Sequence, residues 1–430
     1  MQQAGITKVD TEFAGPFCYR RLDDTYLLTN DFGEWHFLPV DAFKAFVEGT
    51  LDQAGEVYAA LKDKGFVHGE IALSEAIRKT RRQYRFLNAG PVCHTLVMTG
   101  TEPGESMALE VGERIVDMAF ISTSDSLRFV FVTDDFARTA DVMTGLIDYV
   151  RDKNKLVRKT LDLVLRADVT ALDEDHRRAL AEQGVAVQVK LGATELGDPS
   201  APVWEAVRSL HQAYDAASEG SESIRVEGYV QSDAAVLALG DAVVDTIAAA
   251  SCQLFEFEPV SDTCDLDAWS AFYGAVFDRL CALNADEIVL RERRTATFLA
   301  QVLGRALPDW HRARSPATDG IGELAYAWNG TVYTSEAGLD VGASGDPMFA
   351  LGHVENTGYH DLMTHPTVRA LVLASLSDAQ PGYVDWVYKP FTGPSPVLNY
   401  VSHGSIHGRS RESQTYLSDQ AALDHIFRRV

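Results

Sequence analysis

Three short apolar runs open the chain, Phe17 to Leu22, Thr25 to Asn30 and Glu34 to Leu38, separated by Asp23-Asp24 and by Asp31-Phe32-Gly33. Short aromatic-rich runs broken by turn residues predict a three-stranded meander. Two helices follow in this reading. Asp41 caps one carrying Phe43, Phe46 and Val47; Asp52 caps another carrying Val57, Tyr58 and Leu61, which Gly65 stops. From Pro91 the pattern changes to apolar strand-like runs alternating with segments of 3.6-residue period. The predicted strands are His94 to Thr99, Leu127 to Thr133, Leu161 to Arg166, Ala186 to Leu191, Ile224 to Val230 and Leu254 to Phe257. Helices are predicted over Val111 to Phe120, Ala140 to Lys153, Asp173 to Gln183, Ala201 to Ala217 and Ala235 to Ala250, with Asp173 as an N-cap. Repeated β–α units imply a parallel sheet, here an α/β partial (β/α) TIM-like barrel, whose chemistry would sit at the C-terminal ends of its strands.

From about Arg314 the alternation gives way to a stretch rich in Gly, Pro, Ser and Thr. Leu324 to Trp328, Asn329-Gly330 and Thr331 to Thr334 predict a hairpin with a type I′ turn. A helix from His365 to Ser375 comes next, then a loop from Gln380 to Tyr400 holding four prolines, with the whole segment expected to be largely irregular. The resulting division is 1–88 as a small α+β unit, 89–300 as the barrel and 301–430 as an irregular C-terminal unit.

Composition narrows the functions. The 430 residues carry 62 Asp and Glu against 38 Lys and Arg, a net charge of −24. That balance excludes nucleic acid as an expected partner, since polyanion binding draws on clustered cations. Arg78 to Arg85 and Arg291 to Arg294 are read as solvated helix faces. With 46% apolar residues, there is material for a large core. No apolar run suffices to span a membrane and the first residues do not read as a targeting signal, so no membrane partner and a cytoplasmic location are expected. The five cysteines, Cys18, Cys93, Cys252, Cys264 and Cys281, stand apart with no CxxC or CxxxCxxC spacing.

Three segments carry a resemblance: Arg314-Ser-Pro-Ala-Thr-Asp-Gly-Ile-Gly-Glu-Leu-Ala-Tyr326, Asn329-Gly-Thr-Val-Tyr-Thr334 and Val387-Tyr-Lys-Pro-Phe-Thr-Gly-Pro-Ser-Pro-Val-Leu-Asn-Tyr400. Together with Tyr26 to Trp35 and Arg369 to Ser375, they resemble the radical S-adenosylmethionine (SAM) peptide maturases that carry a SPASM domain, most nearly the maturase of the His-Xaa-Ser peptide system. The resemblance implies a partial TIM barrel with a [4Fe-4S] cluster held by CxxxCxxC after the first strand. It also implies a GGEP-like motif for S-adenosylmethionine after the second strand, and auxiliary clusters in the C-terminal unit. This sequence departs from all three. The first loop reads Gly100-Thr-Glu-Pro-Gly-Glu-Ser-Met, and Thr133-Asp134-Asp135-Phe136 stands where the glycines, glutamate and proline would be. Where the family places its C-terminal cysteines stand Ala317 or Thr318, Thr334 or Ser335, Leu376, Tyr383, Trp386, Thr392 and Ser395. None of these side chains replaces a thiolate on iron.

Other constellations have two readings each. Asp134-Asp135 can be a general acid–base pair or a helix cap. His353, His360, Asp361, His365, His403 and His407 can hold Zn²⁺ or Fe²⁺ only if they converge, and Gly404, Ser405 and Gly408 predict a loop there. Cys93 reads as a buried small hydrophobe. Two functions follow. The first is a degenerate SAM-derived pseudoenzyme, without cofactor or metal, that binds a precursor peptide or an active radical SAM maturase. Its N-terminal unit looks similar to leader-peptide recognition modules, and a peptide would add as a strand beside Thr25 to Leu38, meeting Tyr26, Leu28, Trp35 and Phe37. Tyr383, Trp386 and Phe391 would fill the space of lost clusters. The second is a repurposed enzyme using Glu102, Asp134, Asp135, Arg166 and Glu227 at the barrel mouth without iron, on a peptide or small substrate.

Overall fold

The computed structural model describes residues 9–430 except 85–86, 88, 218–224, 260–264, 306, 308–310 and 409–412. Arg85, Ile224 and Cys264 of the reading above lie outside the described residues.

The meander forms as predicted: β1 (Cys18–Leu22), β2 (Thr25–Thr29) and β3 (Trp35–Pro39) make an antiparallel sheet in the order β1-β2-β3. Strand alternation splits its side chains between two faces. Tyr26, Leu28 and Leu38 pack on Phe43 and Phe46 of α1 (Val40–Val47), while Leu22 and Leu27 join the core of the rest of the molecule. Neither predicted cap holds. Pro39 precedes α1, placing Asp41 inside its first turn, and Gly55 precedes α2 (Glu56–Asp63), where Asp52 closes the preceding turn by accepting from Ala54 N. Gly65, at φ 78°, ends α2 as expected, and α3 (Leu73–Tyr84) follows.

Seven parallel strands run β4 (Cys93–Val97), β5 (Ser126–Val132), β6 (Thr160–Ala167), β7 (Ala186–Leu191), β8 (Val226–Ser232), β9 (Leu254–Pro259) and β10 (Arg291–Glu292). On the other side of β4, β11 (Glu323–Tyr326) pairs in parallel, and β12 (Thr331–Tyr333) and β13 (Ala350–His353) extend the sheet antiparallel, ten strands in all. Cys93 is thus the first residue of β4 rather than a residue before it. The helices α4 (Leu109–Ala119), α5 (Phe136–Val157), α6 (Glu174–Glu182), α7 (Ala193–Gly197), α8 (Pro202–Ala217), α9 (Ala234–Leu237), α10 (Ala242–Ala249), α11 (Leu266–Ala285) and α12 (Arg293–Val302) accompany these strands. The segment predicted as one helix over Ala235 to Ala250 is broken by Gly240 at φ 61°, a left-handed backbone that no helix continues through.

Outward residues such as Leu96, Phe129, Phe131, Leu165 and Val187 share one large core with the helices, whereas Cys93, Val130, Val164 and Ala186 form a small separate cluster on the concave side. The β11–β12 hairpin is not type I′. Of its two turn residues only Gly330 has positive φ, and Ala327 N bonds to Thr331 O, a three-residue connection with glycine in the left-handed position. The C-terminal unit is more helical than its composition suggests, with α13 (Glu336–Ala343), α14 (Tyr359–Met363), α15 (Pro366–Ala374), α16 (Pro396–His403) and α17 (Gln414–Phe427). At α16 the reason is Pro396, since a proline in the first turn starts a helix rather than breaking one.

Candidate functional site

Charged residues at inward positions of apolar strands build a ladder through the concave side of the sheet. Arg128 of β5, 5% exposed, pairs with Asp162 of β6 and lies 3.7 Å from Glu227 of β8. Glu227 also takes Arg293 at 2.5 Å and the Gln188 amide at 2.9 Å. Gln188 in turn accepts from Arg166 Nε at 3.0 Å, and Arg166 pairs with Glu336 of α13. Burial works to raise the Glu227 pKa, but the guanidinium groups of Arg293 and Arg128 outweigh it and hold the carboxyl below its usual range. Glu256, a third of whose side chain still meets water, goes the other way: burial, with Glu258 and Glu292 nearby, raises its pKa against the pull of Arg293. Arg293 and Arg294 therefore do not form a solvated face. Each turns inward, Arg293 to Glu227 and Glu256, Arg294 to Asp419 of α17.

Of the five mouth residues, only Arg166 and Glu227 meet, through Gln188. Asp134 and Asp135 are exposed, and Asp135 caps α5 by accepting from Arg138 N at 3.2 Å. Glu102 is exposed on a tight turn in which Gly100 N bonds to Glu105 O and Met107 N to Met98 O. The chain turns straight back after β4, and a Cβ at Gly100 would run into Glu105 and the Trp328 indole. Arg128, Gln188, Arg293 and Glu256 escaped the sequence reading, although single charges inside runs such as Leu127-Arg-Phe-Val-Phe-Val132 mark inward positions.

Most of the residues standing where the resemblance implies C-terminal cysteines have another task. Thr318 Oγ1 donates to the buried Glu323 at 2.6 Å, Ser335 caps α13 and Ser395 caps α16. Thr392 donates to Asp419, which also holds Arg294. Tyr383, Trp386 and Phe391 are at most 4% exposed and belong to one aromatic cluster with Tyr388, Tyr416 and Phe427. An iron–sulfur cluster does not fit these donors. The thiols of Cys93 and Cys252 lie in different cores, and burial pushes them up to about 11 and about 12, so both stay protonated. Cys18 sits on β1 and Cys281 on α11. Among the described residues no three His, Cys, Asp or Glu side chains gather as a metal site. The histidines do not converge either: His353 Nε2 bonds to Asn329 O, His365 caps α15, and α16 ends at His403 with Gly404 left-handed after it.

The four residues expected to meet a peptide are placed as follows. Tyr26 and Leu28 are buried against α1, whereas Trp35 and Phe37 face the C-terminal unit, each packing edge-on against Phe427. Trp35 Nε1 donates to Val302 O at 2.8 Å. β2 is paired on both sides. The Asn30 N to Glu34 O bond sets the alternation of the hairpin, so Trp35 and Phe37 turn their backbone groups to the outer edge of β3, where Lys64 Nζ meets Trp35 O at 2.8 Å.

No family model matches the sequence, and no curated protein does. Solved structures match the fold. Native anSMEcpe with bound AdoMet superposes with a TM-score of 0.64 at 12% identity, over 79% of this chain and 98% of that one. The same protein with AdoMet and the Kp18Cys peptide gives 0.60 at 12% identity over the same shares. Streptococcus suis SuiB bound to precursor peptide SuiA gives 0.53 at 10% identity, over 93% of this chain and 98% of that one. The fold is therefore that of the radical SAM/SPASM-type peptide maturases. No helix among the described residues is long and apolar enough to cross a membrane.

Proposed function

We propose that this chain is a peptide-binding or partner subunit of ribosomal peptide maturation, derived from a radical SAM maturase whose iron–sulfur chemistry it no longer performs. One observation carries the reading. Thr318, Ser335, Tyr383, Trp386, Thr392 and Ser395, which stand where the resemblance implies C-terminal cysteines, are committed to helix caps, buried carboxylates and an aromatic core, so a cluster would have to displace packing and not merely regain ligands. The first βα loop agrees, since it folds back on itself within a few residues of β4.

The peptide-facing element in this reading is the outer edge of β3. Main-chain bonds to Trp35 and Phe37 supply the affinity of an added strand, with Lys64 at one end. Tyr26 and Leu28 support the sheet from inside and do not touch the peptide. SuiB bound to its precursor peptide has this fold, which favours a peptide partner. The test is amide hydrogen exchange on the chain with and without a precursor peptide that binds it. Protection gained at Trp35 and Phe37 supports strand addition; unchanged exchange at β3 in a complex that nevertheless forms refutes this placement.

A further inference from the structure

Two turns at the same end of the large sheet are built alike and carry opposite charge. The α5–β6 turn reads Lys155-Leu-Val-Arg-Lys159, and the α11–β10 turn reads Asp286-Glu-Ile-Val289. Each leads directly into a parallel strand, so both lie on the rim at the N-terminal ends of the strands, four strand spacings or roughly 20 Å apart along the sheet. An asparagine locks each turn. Asn154 Nδ2 donates to Lys159 O at 2.8 Å and its Oδ1 accepts from Lys159 N at 2.7 Å; Asn284 Nδ2 donates to Leu290 O at 3.0 Å and its Oδ1 accepts from Leu290 N at 3.1 Å. Within the locked turns Arg158 and Glu287 hold a left-handed backbone, at φ 61° and 65°. The result is apolar side chains fixed in water: Leu156 is 90% exposed, Val157 53%, Ile288 45% and Val289 50%. Lys155, Arg158, Asp286 and Glu287 beside them are exposed as well. Arg158 and Glu287 pair with no described residue, and Lys155 meets only Asp152 of its own helix, in a pair too solvated to hold it.

We propose that these turns join two copies of this chain, the α5–β6 turn of each copy seated on the α11–β10 turn of the other. A two-fold axis lying across the rim, midway between the turns, makes the contact twice, because it sets each turn opposite its counterpart. The choice of a second copy follows from charge. One turn presents Lys155 and Arg158, the other Asp286 and Glu287, and the two stand on one rim of the same molecule. Leu156 and Val157 then cover Ile288 and Val289, apolar surface that each copy alone leaves in water. An anionic bilayer is the poorer occupant, since a flat surface reaching Arg158 would also meet Asp286 and Glu287 and a chain of net charge −24. Two small corners make a weak, exchanging dimer rather than a permanent one. The contact uses neither the β3 edge nor the C-terminal ends of the strands, so it stands or falls apart from the peptide reading.

The experiment is sedimentation velocity of the full chain over a series of concentrations at low and at high salt. The expected result is a reversible monomer–dimer equilibrium that weakens as salt is added. Two charge-reversed variants carry the test: Lys155→Glu with Arg158→Glu, and Asp286→Lys with Glu287→Lys. All four side chains are exposed, so the fold is left intact. Each variant alone sets like charge against like at both contacts and should dimerise at least about tenfold more weakly. An equimolar mixture of the two should regain the parental affinity, because each reversed turn then meets the reversed turn of the other copy. Leu156→Ser should weaken the parent dimer without any change of charge. A chain that stays monomeric at every concentration, a dimer that neither reversed variant weakens, or a mixture no tighter than its components overturns the proposal.

Discussion

The indole of Trp386 lies nearly parallel to the Tyr416 ring, with centroids 4.0 Å apart and planes 23° from each other. This stack joins the proline-rich loop to α17, in a region where the resemblance places a cluster-binding cysteine. Tyr383 meets both rings edge-on, at 5.0 and 5.3 Å, so the three form a closed aromatic set. Packing of this kind supplies locally what a metal staple supplies elsewhere.

Removing the central ring should therefore cost folding energy. Trp386→Ala is expected to lose about 3–5 kcal/mol in urea unfolding, whereas Trp386→Phe loses much less because it also removes an unpaired buried N–H. Equal unfolding midpoints for the alanine variant and the parent would show that the aromatic set does not hold this unit.

Asp419 is the second support. It takes Arg294 of α12 and Thr392 of the loop, and it is 4% exposed. Asp419→Ala leaves a largely buried guanidinium without its counter-charge and should cost about 3–5 kcal/mol; Thr392→Val should cost about 1 kcal/mol. Chemical denaturation of both variants checks the order.

His94 gives the pH dependence. It is 1% exposed, stacks with Phe129 and Tyr326, and burial pushes its pKa from 6.5 down to about 4. The unfolded chain then binds the proton over that interval and the folded chain does not, so stability is complete above pH 6.5 and falls as the pH drops toward 4. The full loss from this one group is about 3 kcal/mol. His94→Phe should flatten that part of the stability curve, measured as urea midpoints at pH 7 and pH 4.5.

Asp135 and Asp134 separate the scaffold from an enzyme. As a cap of α5, Asp135 should cost about 1 kcal/mol when changed to alanine, and Asp134→Ala should be close to neutral. Turnover of a bound precursor peptide by the isolated chain that is lost in either variant, at unchanged stability, would instead favour chemistry at the mouth.

The sheet was legible because its parallel strands are continuous apolar runs, and β4 to β9 fall within two or three residues of their predicted spans. The ladder on the concave side was not. Arg293 meets a carboxylate 66 positions away and Arg294 one 125 positions away, and no local pattern distinguishes those arginines from a solvated pair. The helix α16 was hidden by the prolines around its start. The absence of closely spaced cysteines was visible in the sequence, but the tasks taken over by Thr318, Thr392, Ser335 and Ser395 appear only once the chain is folded.

Anaerobic reconstitution of the purified chain with iron and sulfide, followed by iron counting and low-temperature EPR in the presence of reductant and S-adenosylmethionine, tests the central claim most directly. The account predicts no stoichiometric iron, no cluster signal and intact S-adenosylmethionine. A brown protein with a [4Fe-4S] signal that cleaves the cofactor would contradict it.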